Sequence, residues 1–132
     1  MIAVDSSAIV GIVLAEPEAE AFATAMAGQP CIVGANVYFE SHMVLRRRQG
    51  EEAIALMRSL IIRDGVEIVP FDARLAEIAR AAWDRYGKGG GHPADLNFGD
   101  CMSYAVAKFY DLPLLYKGVD FAHTDIRPAL KP

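Results

Sequence analysis

Four acidic side chains occur where a carboxylate could take part in chemistry. Asp5 directly follows the apolar run IAV, and Glu40 lies in the mostly apolar segment VYFESHMVL. Asp100 lies among small and apolar residues in LNFGDCMSYAVA, and Asp120 comes after the apolar run in LPLLYKGVD. Carboxylates that cluster without a counter-charge repel one another and raise each other's pKa. Whether these acids meet in the folded chain therefore determines what chemistry they can do.

Short apolar runs between helix-forming segments predict alternating strands and helices. Strands are expected at Ile2–Val4, Cys31–Val33, Glu67–Val69 and Leu112–Tyr116, with a short further strand near Ile126. Six helices are expected. The first spans Ala8–Leu14, the second ends at about Ala27, and the third and fourth span Val37–Arg48 and Glu51–Arg63. The last two run from Asp72 to Tyr86 and from Asn97 to about Tyr110. This order predicts an α/β fold, a three-layer α/β/α arrangement with a central, mostly parallel sheet. Nothing in the sequence suggests a linker, so residues 1–132 are expected to form a single domain.

Several predicted helices begin next to residues that can cap the free N–H groups of a first turn. Ser6 and Ser7 are expected to cap the first helix, and Asn36 is expected to cap the third. Asp72 and Asn97 are expected to cap the last two long helices.

The composition limits the class of protein. The chain has 132 residues, of which 53% are hydrophobic and 23% are charged, so a proper core can form. The apolar stretch Ala8–Ala15 is too short to span a membrane, and a cytoplasmic protein is expected. A net charge of −4 argues against nucleic-acid binding by charge alone, although metal ions at an acidic site would reverse the local charge. Cys31 and Cys101 lack metal-type spacing and are expected to be buried thiols.

The predicted topology places the four acids at one edge of the sheet, because functional residues of open parallel sheets gather beyond the carboxyl ends of the strands. Three acids alone have an ordinary explanation: Asp5 as a helix cap, Asp100 as a favourable first-turn charge, and Asp120 as a turn residue. Glu40 is the hardest to explain in this way, because its helix is largely apolar. Together they are better explained by a bound divalent cation. Hard oxygen ligands without histidine or cysteine suit Mg²⁺ or Mn²⁺, which activate water and stabilise oxyanions in phosphodiester cleavage.

Four segments of the sequence resemble motifs of the PIN-domain family, and within it of the VapC-type toxins of bacterial toxin–antitoxin pairs. IAVDSSA is similar to the family's opening strand with its first acid, and ANVYFES places Glu40 at the second. LNFGDCMSYAVA is similar to the family's most recognisable signature, and LPLLYKGVDFAHTDI resembles its last strand and loop. The resemblance spans nearly the whole chain. One departure is Val119, where many relatives have a polar or acidic residue.

The resemblance implies a Mg²⁺-dependent endoribonuclease that cuts RNA phosphodiester bonds, with Mn²⁺ able to substitute. The implied catalytic and metal-binding residues are Asp5, Glu40, Asp100 and Asp120. Ser7 would hydrogen-bond within the site, and Thr124 and Asp125 would line it less directly. The resemblance also implies a homodimer and a small cognate antitoxin of the VapB type that blocks the cleft.

Basic and histidine side chains give weaker indications. His42, His92 and His123 all lack triad partners at a recognisable spacing. His123 lies near the predicted site and is an open candidate for a phosphate contact. Arg46–Arg48 complements a helix dipole or contacts RNA phosphates, and Lys117 is a further candidate for guiding RNA.

Two other functions remain open from the residues alone. A phosphoacceptor receiver-type signalling domain would use Asp5, Asp72 as acceptor and Lys117, but it leaves Glu40 and Asp100 unexplained. A non-catalytic module would use the acids only to bind a basic partner. RNA cleavage that requires metal and the acids distinguishes the nuclease from both.

Overall fold

The computed structural model of the protein describes residues 1–131 and contains a four-stranded sheet. The strands are β1 (Ile2–Val4), β2 (Cys31–Gly34), β3 (Val66–Val69) and β4 (Leu114–Leu115). The helices are α1 (Ser6–Val13), α2 (Ala19–Ala27), α3 (Ala35–Arg48), α4 (Glu51–Ile61), α5 (Ala73–Tyr86) and α6 (Phe98–Tyr110). A 3-10 helix spans Asp120–His123.

The sheet has the strand order β3-β2-β1-β4, and its pairings are all parallel. Strand β1 is central: Ile2 is in register with Cys31 of β2, and Ala3 with Leu114 of β4. The carboxyl ends of the strands therefore meet at one edge of the sheet, which is where β1 leads into α1 and β2 into α3. The predicted parallel α/β fold is confirmed, and so are the two helices between β1 and β2 and between β2 and β3.

Helices cover both faces of the sheet because side chains alternate along the strands. Ile2 and Val4 pack into a hydrophobic cluster with α1, α2, α3 and α4, whereas Ala3 packs into a second cluster with α5 and α6. Cys31 and Cys101 lie in opposite clusters with 1% and 4% of their surface exposed, which confirms the predicted buried thiols. The three-layer arrangement expected from the sequence is confirmed.

Two of the predicted helix caps are confirmed. The Asp72 carboxylate accepts hydrogen bonds from the N–H groups of Arg74 and Leu75 at the start of α5. The Asn97 side chain accepts from the Asp100 N–H, and the Asp100 carboxylate accepts in turn from the Asn97 N–H. This reciprocal capping box fixes the first turn of α6.

The other two predicted caps are wrong. Helix α1 is capped by Asp5, whose carboxylate accepts from the Ser7 N–H at 3.1 Å, so the helix begins at Ser6 rather than at Ala8. Helix α3 begins directly after Gly34 without a side-chain cap. Asn36 lies inside that helix, and its amide oxygen is buried without a hydrogen-bond partner among residues 1–131.

Near the carboxyl terminus the elements are shorter than predicted. Strand β4 covers Leu114–Leu115 only, because α6 closes with Asp111 in the left-handed conformation (φ 53°) and the Leu112 N–H still bonds back to that helix. The strand predicted near Ile126 is wrong, since the described chain pairs there only through an isolated bridge between Leu114 and Pro128. The sequence did not predict the 3-10 helix.

The capping box generates a stability prediction. We expect Asn97→Ala to lower the free energy of unfolding by about 1 kcal/mol, because the Asp100 N–H loses its acceptor. Asn36→Ala is the matched control and should cost clearly less, since the Asn36 amide oxygen has no partner to lose. Urea denaturation of both variants measures the difference, and an equal loss in the two would contradict the assigned caps.

Candidate active site

Asp5 lies at the carboxyl end of the central strand with only 4% of its surface exposed. One carboxylate oxygen accepts from the hydroxyl and the N–H of Ser7, at 2.6 and 3.1 Å. The other accepts from the hydroxyl of Ser103 on α6. The Ser7 hydroxyl accepts in turn from the Lys117 N–H at 2.9 Å, so the loop after β4 also supports Asp5. These donors hold a nearly buried carboxylate in one orientation.

Ser103 is the site residue that the sequence reasoning missed. It is 1% exposed and comes three residues after Asp100, on the same side of α6. A signal was present, because Ser103 is the one serine or threonine in the segment DCMSYAVA. The partner of that hydroxyl, Asp5, is 98 residues away in the sequence, so only the fold reveals the contact.

Glu40 reaches the same edge of the sheet from α3. Its carboxylate accepts from the Ser6 hydroxyl at 2.5 Å. Burial, with the neighbouring charge of Asp5, raises the pKa of Glu40 even though the Ser6 hydrogen bond opposes the change. Glu40 lies against the backbone of Gly99, where any side chain would overlap its carboxylate. A glycine at the start of α6 therefore allows α3 and α6 to approach at this point.

Asp100, in the first turn of α6, has the most perturbed carboxylate. Burial raises its pKa to about 6, against the hydrogen bond from the Asn97 N–H. The charges of Asp5, Asp120 and Glu40 raise it further. The fold thus brings the four predicted acids near one another, from β1, α3, α6 and the 3-10 helix.

Asp120 differs from the other acids because it is exposed to solvent. It is the first residue of the 3-10 helix. The next residue, Phe121, is 2% exposed and packs against Tyr116 with ring centroids 5.0 Å apart. The backbone at Asp120 is therefore anchored while its carboxylate stays accessible.

No basic side chain of the described residues neutralises the four acids by an ion pair. Within residues 1–131, none of the four forms an ion pair with a lysine, arginine or histidine. Lys117 lies close to Asp120 in the sequence, but its ammonium group pairs with Glu16 and Glu18 at 3.3 and 3.2 Å. A positive charge supplied from outside would relieve the repulsion among the acids.

The chemistry of these residues fits a hard divalent cation. The available donors are carboxylate and hydroxyl oxygens, the type that Mg²⁺ and Mn²⁺ prefer. Nevertheless, no three acidic, histidine or cysteine side chains in the described part of the chain already stand at the spacing that holds an ion. Binding would thus need the carboxylates to turn toward a common point. Asp5 is fixed, whereas Asp120 has no hydrogen bond from its side chain in residues 1–131 and is free to turn.

The two further residues implied by the resemblance contact other partners. The Thr124 hydroxyl donates to the Phe121 carbonyl at 2.7 Å and closes the end of the 3-10 helix. The Asp125 carboxylate accepts from the hydroxyl of Tyr104 at 2.7 Å and the ammonium group of Lys108 at 2.9 Å, and not from groups at the four acids.

The histidine and arginine candidates are placed as follows. His42 is half-buried on α3, and the His92 ring accepts from the Ala94 N–H at 3.0 Å within its own loop. His123 is exposed at the end of the 3-10 helix that carries Asp120. In Arg46–Arg48, the first arginine pairs with Glu51 at 2.6 Å.

Asp72 and Lys117, the residues of the receiver-type alternative, do not share a site. The Asp72 carboxylate caps α5 and pairs with Arg74 at 2.7 Å, while Lys117 pairs with Glu16 and Glu18.

No helix among residues 1–131 is long and apolar enough to cross a membrane.

Comparison with known proteins identifies the family. The model of the PIN domain matches residues 2–127. Ribonuclease VapC42 of Mycobacterium tuberculosis is 42% identical over 127 residues, covering 96% of this chain and 97% of the relative. Ribonuclease VapC30 of the same organism is 41% identical over 130 residues, covering 98% of each.

The fold likeness extends to solved structures. The crystal structure of M. tuberculosis VapC20, a sarcin-ricin loop cleaving toxin, superposes with a TM-score of 0.77 at 20% identity, covering 97% of this chain and 100% of that one. A chain of a toxin–antitoxin complex from Klebsiella pneumoniae gives a TM-score of 0.70 at 16% identity, with 100% of both chains covered. The acids at the carboxyl edge of the sheet, the matching family model and the full-length relatives agree: this chain belongs to the PIN-domain family, among its VapC-type members.

Proposed function

We propose that this protein is the toxin of a toxin–antitoxin pair and acts as a Mg²⁺-dependent endoribonuclease, with Mn²⁺ able to substitute. The observation that carries the proposal is that four carboxylates lie near one another without an ion-pair partner among the described residues. Relatives named ribonucleases, 41–42% identical over nearly the full length, support RNA as the substrate. The chain would hydrolyse phosphodiester bonds as one domain.

Asp5 and Asp100 would be the most direct metal ligands, and Glu40 and Asp120 would complete the set. Asp5 suits a fixed ligand because Ser7 and Ser103 hold both of its oxygens. Asp100 suits a ligand because the repulsion that raises its pKa is relieved by a cation. When bound, Mg²⁺ would neutralise charge on the phosphate oxygens and lower the pKa of a water molecule.

Glu40 would also accept the proton that hydrolysis releases. Burial raises the pKa of Glu40, whereas Asp100, as a direct metal ligand, would be held ionised by the cation. A carboxylate with a pKa near the working pH is well suited to accept a proton. Glu40 keeps the orientation for this role through the Ser6 hydroxyl.

A small VapB-type antitoxin and a second copy of the chain are the proposed partners, in the cytoplasm. Phe39 and Phe98, 62% and 79% exposed, lie beside Glu40 and Gly99 and offer apolar surface for a partner to cover. The exposed His123, Arg47 and Arg48 are the proposed contacts to RNA phosphates.

Loss of an acid should abolish cleavage. We expect Asp5→Asn and Asp100→Asn each to lower the rate of RNA cleavage by at least about 100-fold, because each change removes a negatively charged ligand of the cation that stabilises the reacting groups. Asp64→Asn, at an exposed acid in the turn after α4, is the matched control and should cleave like the wild type.

Cleavage of a labelled RNA pool with and without chelator measures the effect. Cleavage that survives the chelator, or that is equal in all variants, would exclude this nuclease.

Loss of the Ser103 hydroxyl on α6 should reduce cleavage almost as much as loss of a metal ligand. We expect Ser103→Ala to weaken cleavage or metal affinity by about 10- to 100-fold, because Asp5 loses the donor that orients it. Ser41→Ala is the matched control, since Ser41 is 0% exposed and its hydroxyl has no partner in the described chain. Equal activity of the two variants would contradict the orienting role.

Repulsion among the acids predicts a pH effect on stability. The folded-state pKa of Asp100 is raised from 3.8 to about 6, so the metal-free protein loses stability as the pH rises through this range. Asp100→Asn should therefore raise the free energy of unfolding by about 1–2 kcal/mol at pH 8 without metal. At pH 3.5 the gain should vanish, because the wild-type carboxyl is then protonated in the folded state.

Urea denaturation at the two pH values measures the difference in the free energy of unfolding between Asp100→Asn and the wild type. Adding Mg²⁺ should stabilise the wild type and leave Asp100→Asn almost unchanged. A variant that is less stable than the wild type at pH 8 would contradict the repulsion.

A further inference from the structure

A polar cluster stands apart from the four acids, on the outer side of α6. Asp125 is its centre: one oxygen accepts from the hydroxyls of Tyr104 and Tyr86, at 2.7 and 3.4 Å. The other oxygen accepts from the ammonium group of Lys108 at 2.9 Å. We call these four residues the Asp125 cluster.

The two tyrosine donors of the cluster are well fixed, whereas the Lys108 side chain is 41% exposed. Tyr86 is 2% exposed and Tyr104 is 7% exposed, and their rings pack 5.7 Å apart between α5 and α6. Burial and the hydrogen bond to Asp125 raise the pKa of Tyr104, so its hydroxyl stays a donor. Although partial burial opposes it, hydrogen bonds from Lys108 and Tyr104 lower the pKa of Asp125, which stays ionised.

The cluster connects the segment of Asp120 to the helix of Asp100. Asp100, Tyr104 and Lys108 follow one another at intervals of four residues, along one face of α6. Asp125 comes five residues after Asp120 and binds the second and third positions of that row.

The connection between Asp120 and Asp125 is short and stiff. The 3-10 helix covers most of it, and the Thr124 hydroxyl closes its end by bonding the Phe121 carbonyl and the Ile126 N–H. Phe121 and Ile126 fix how deeply the segment packs, since they are 2% and 6% exposed. These apolar contacts are not directional, whereas the charged hydrogen bonds of Asp125 fix the position of the segment along α6.

We propose that Asp125 is a positioning residue that sets the position of the Asp120 backbone relative to Asp100, by fixing the 120–126 segment against α6, so that the Asp120 carboxylate can turn toward Asp100. The inference rests on the proposed function, in which those two acids bind a divalent cation together. Asp125 does not touch the cation or the RNA. It makes the exposed Asp120 available at a defined distance from Asp100.

The test measures Mn²⁺ binding by calorimetry and amide hydrogen exchange of residues 120–126. Asp125→Ala should weaken Mn²⁺ binding about 10-fold and speed exchange in that segment, as expected for loss of a group that supports a ligand. Asp125→Asn should have a smaller effect, because it keeps an acceptor for Tyr104 and loses the ion pair with Lys108. Tyr104→Phe should weaken binding in the same direction.

Two controls separate positioning from general stability. Asp111→Asn makes the same chemical change at an exposed ion pair with Arg127 and should leave Mn²⁺ binding unchanged. Ile54→Val, in the hydrophobic cluster on the other face of the sheet, should lower the melting temperature without changing Mn²⁺ affinity. Wild-type Mn²⁺ affinity in Asp125→Ala would overturn the proposal.

The two proposals fail in different ways. A wild-type protein that binds no Mn²⁺ would overturn the proposed nuclease. Exchange of residues 120–126 then decides the role of Asp125 alone: unchanged exchange in Asp125→Ala overturns it, and faster exchange limited to that segment supports it.

Discussion

A carboxylate buried at the end of the central strand organises this site. Asp5 is 4% exposed and has hydroxyl donors on both oxygens, one from α1 and one from α6. Removing a carboxylate from water is costly, and hydrogen bonds to the charged form recover part of that cost. The contact between Asp5 and Ser103 also joins the first strand to the last long helix, so the site can form only when the sheet and α6 have packed.

The remaining acids add charge where the fold has little to balance it. Burial and the other acids raise the pKa of Asp100 to about 6, while Lys117, a nearby base in the chain, pairs with Glu16 and Glu18 instead. Such an arrangement lowers the stability of the metal-free protein and favours a bound cation. In the proposed function, the same repulsion that lowers the stability of the metal-free protein raises its affinity for the cation.

Much of the fold was predictable, because it depends on local patterns. Apolar runs and turn residues indicated the parallel sheet with paired helices, and Asp72 and Asn97 were recognised as caps. The cap predicted at Asn36 was wrong, because the helix already begins at Ala35, directly after Gly34, and Asn36 lies inside it. The end of the chain was least predictable, since a left-handed Asp111 shortens β4 and no sequence period announces a four-residue 3-10 helix.

That the four acids lie near one another was predictable from their positions at the ends of the predicted elements, and the resemblance implied the hydrogen bond of Ser7, but the other supports were not predictable. Ser103 acts on a residue 98 positions away, and Asp125 joins two tyrosines and a lysine from two helices. Both are ordinary polar residues in the sequence, and only the packing of distant elements gives them a role.

The central claim is that the acids hold a divalent cation together. A crystal structure of the wild-type protein soaked in Mn²⁺, with anomalous diffraction at the manganese edge, tests it most directly. We predict an anomalous peak within coordination distance of the Asp5 and Asp100 carboxylates, with Asp120 turned toward it. A peak elsewhere on the molecule, or an empty cluster at millimolar Mn²⁺, would contradict the claim.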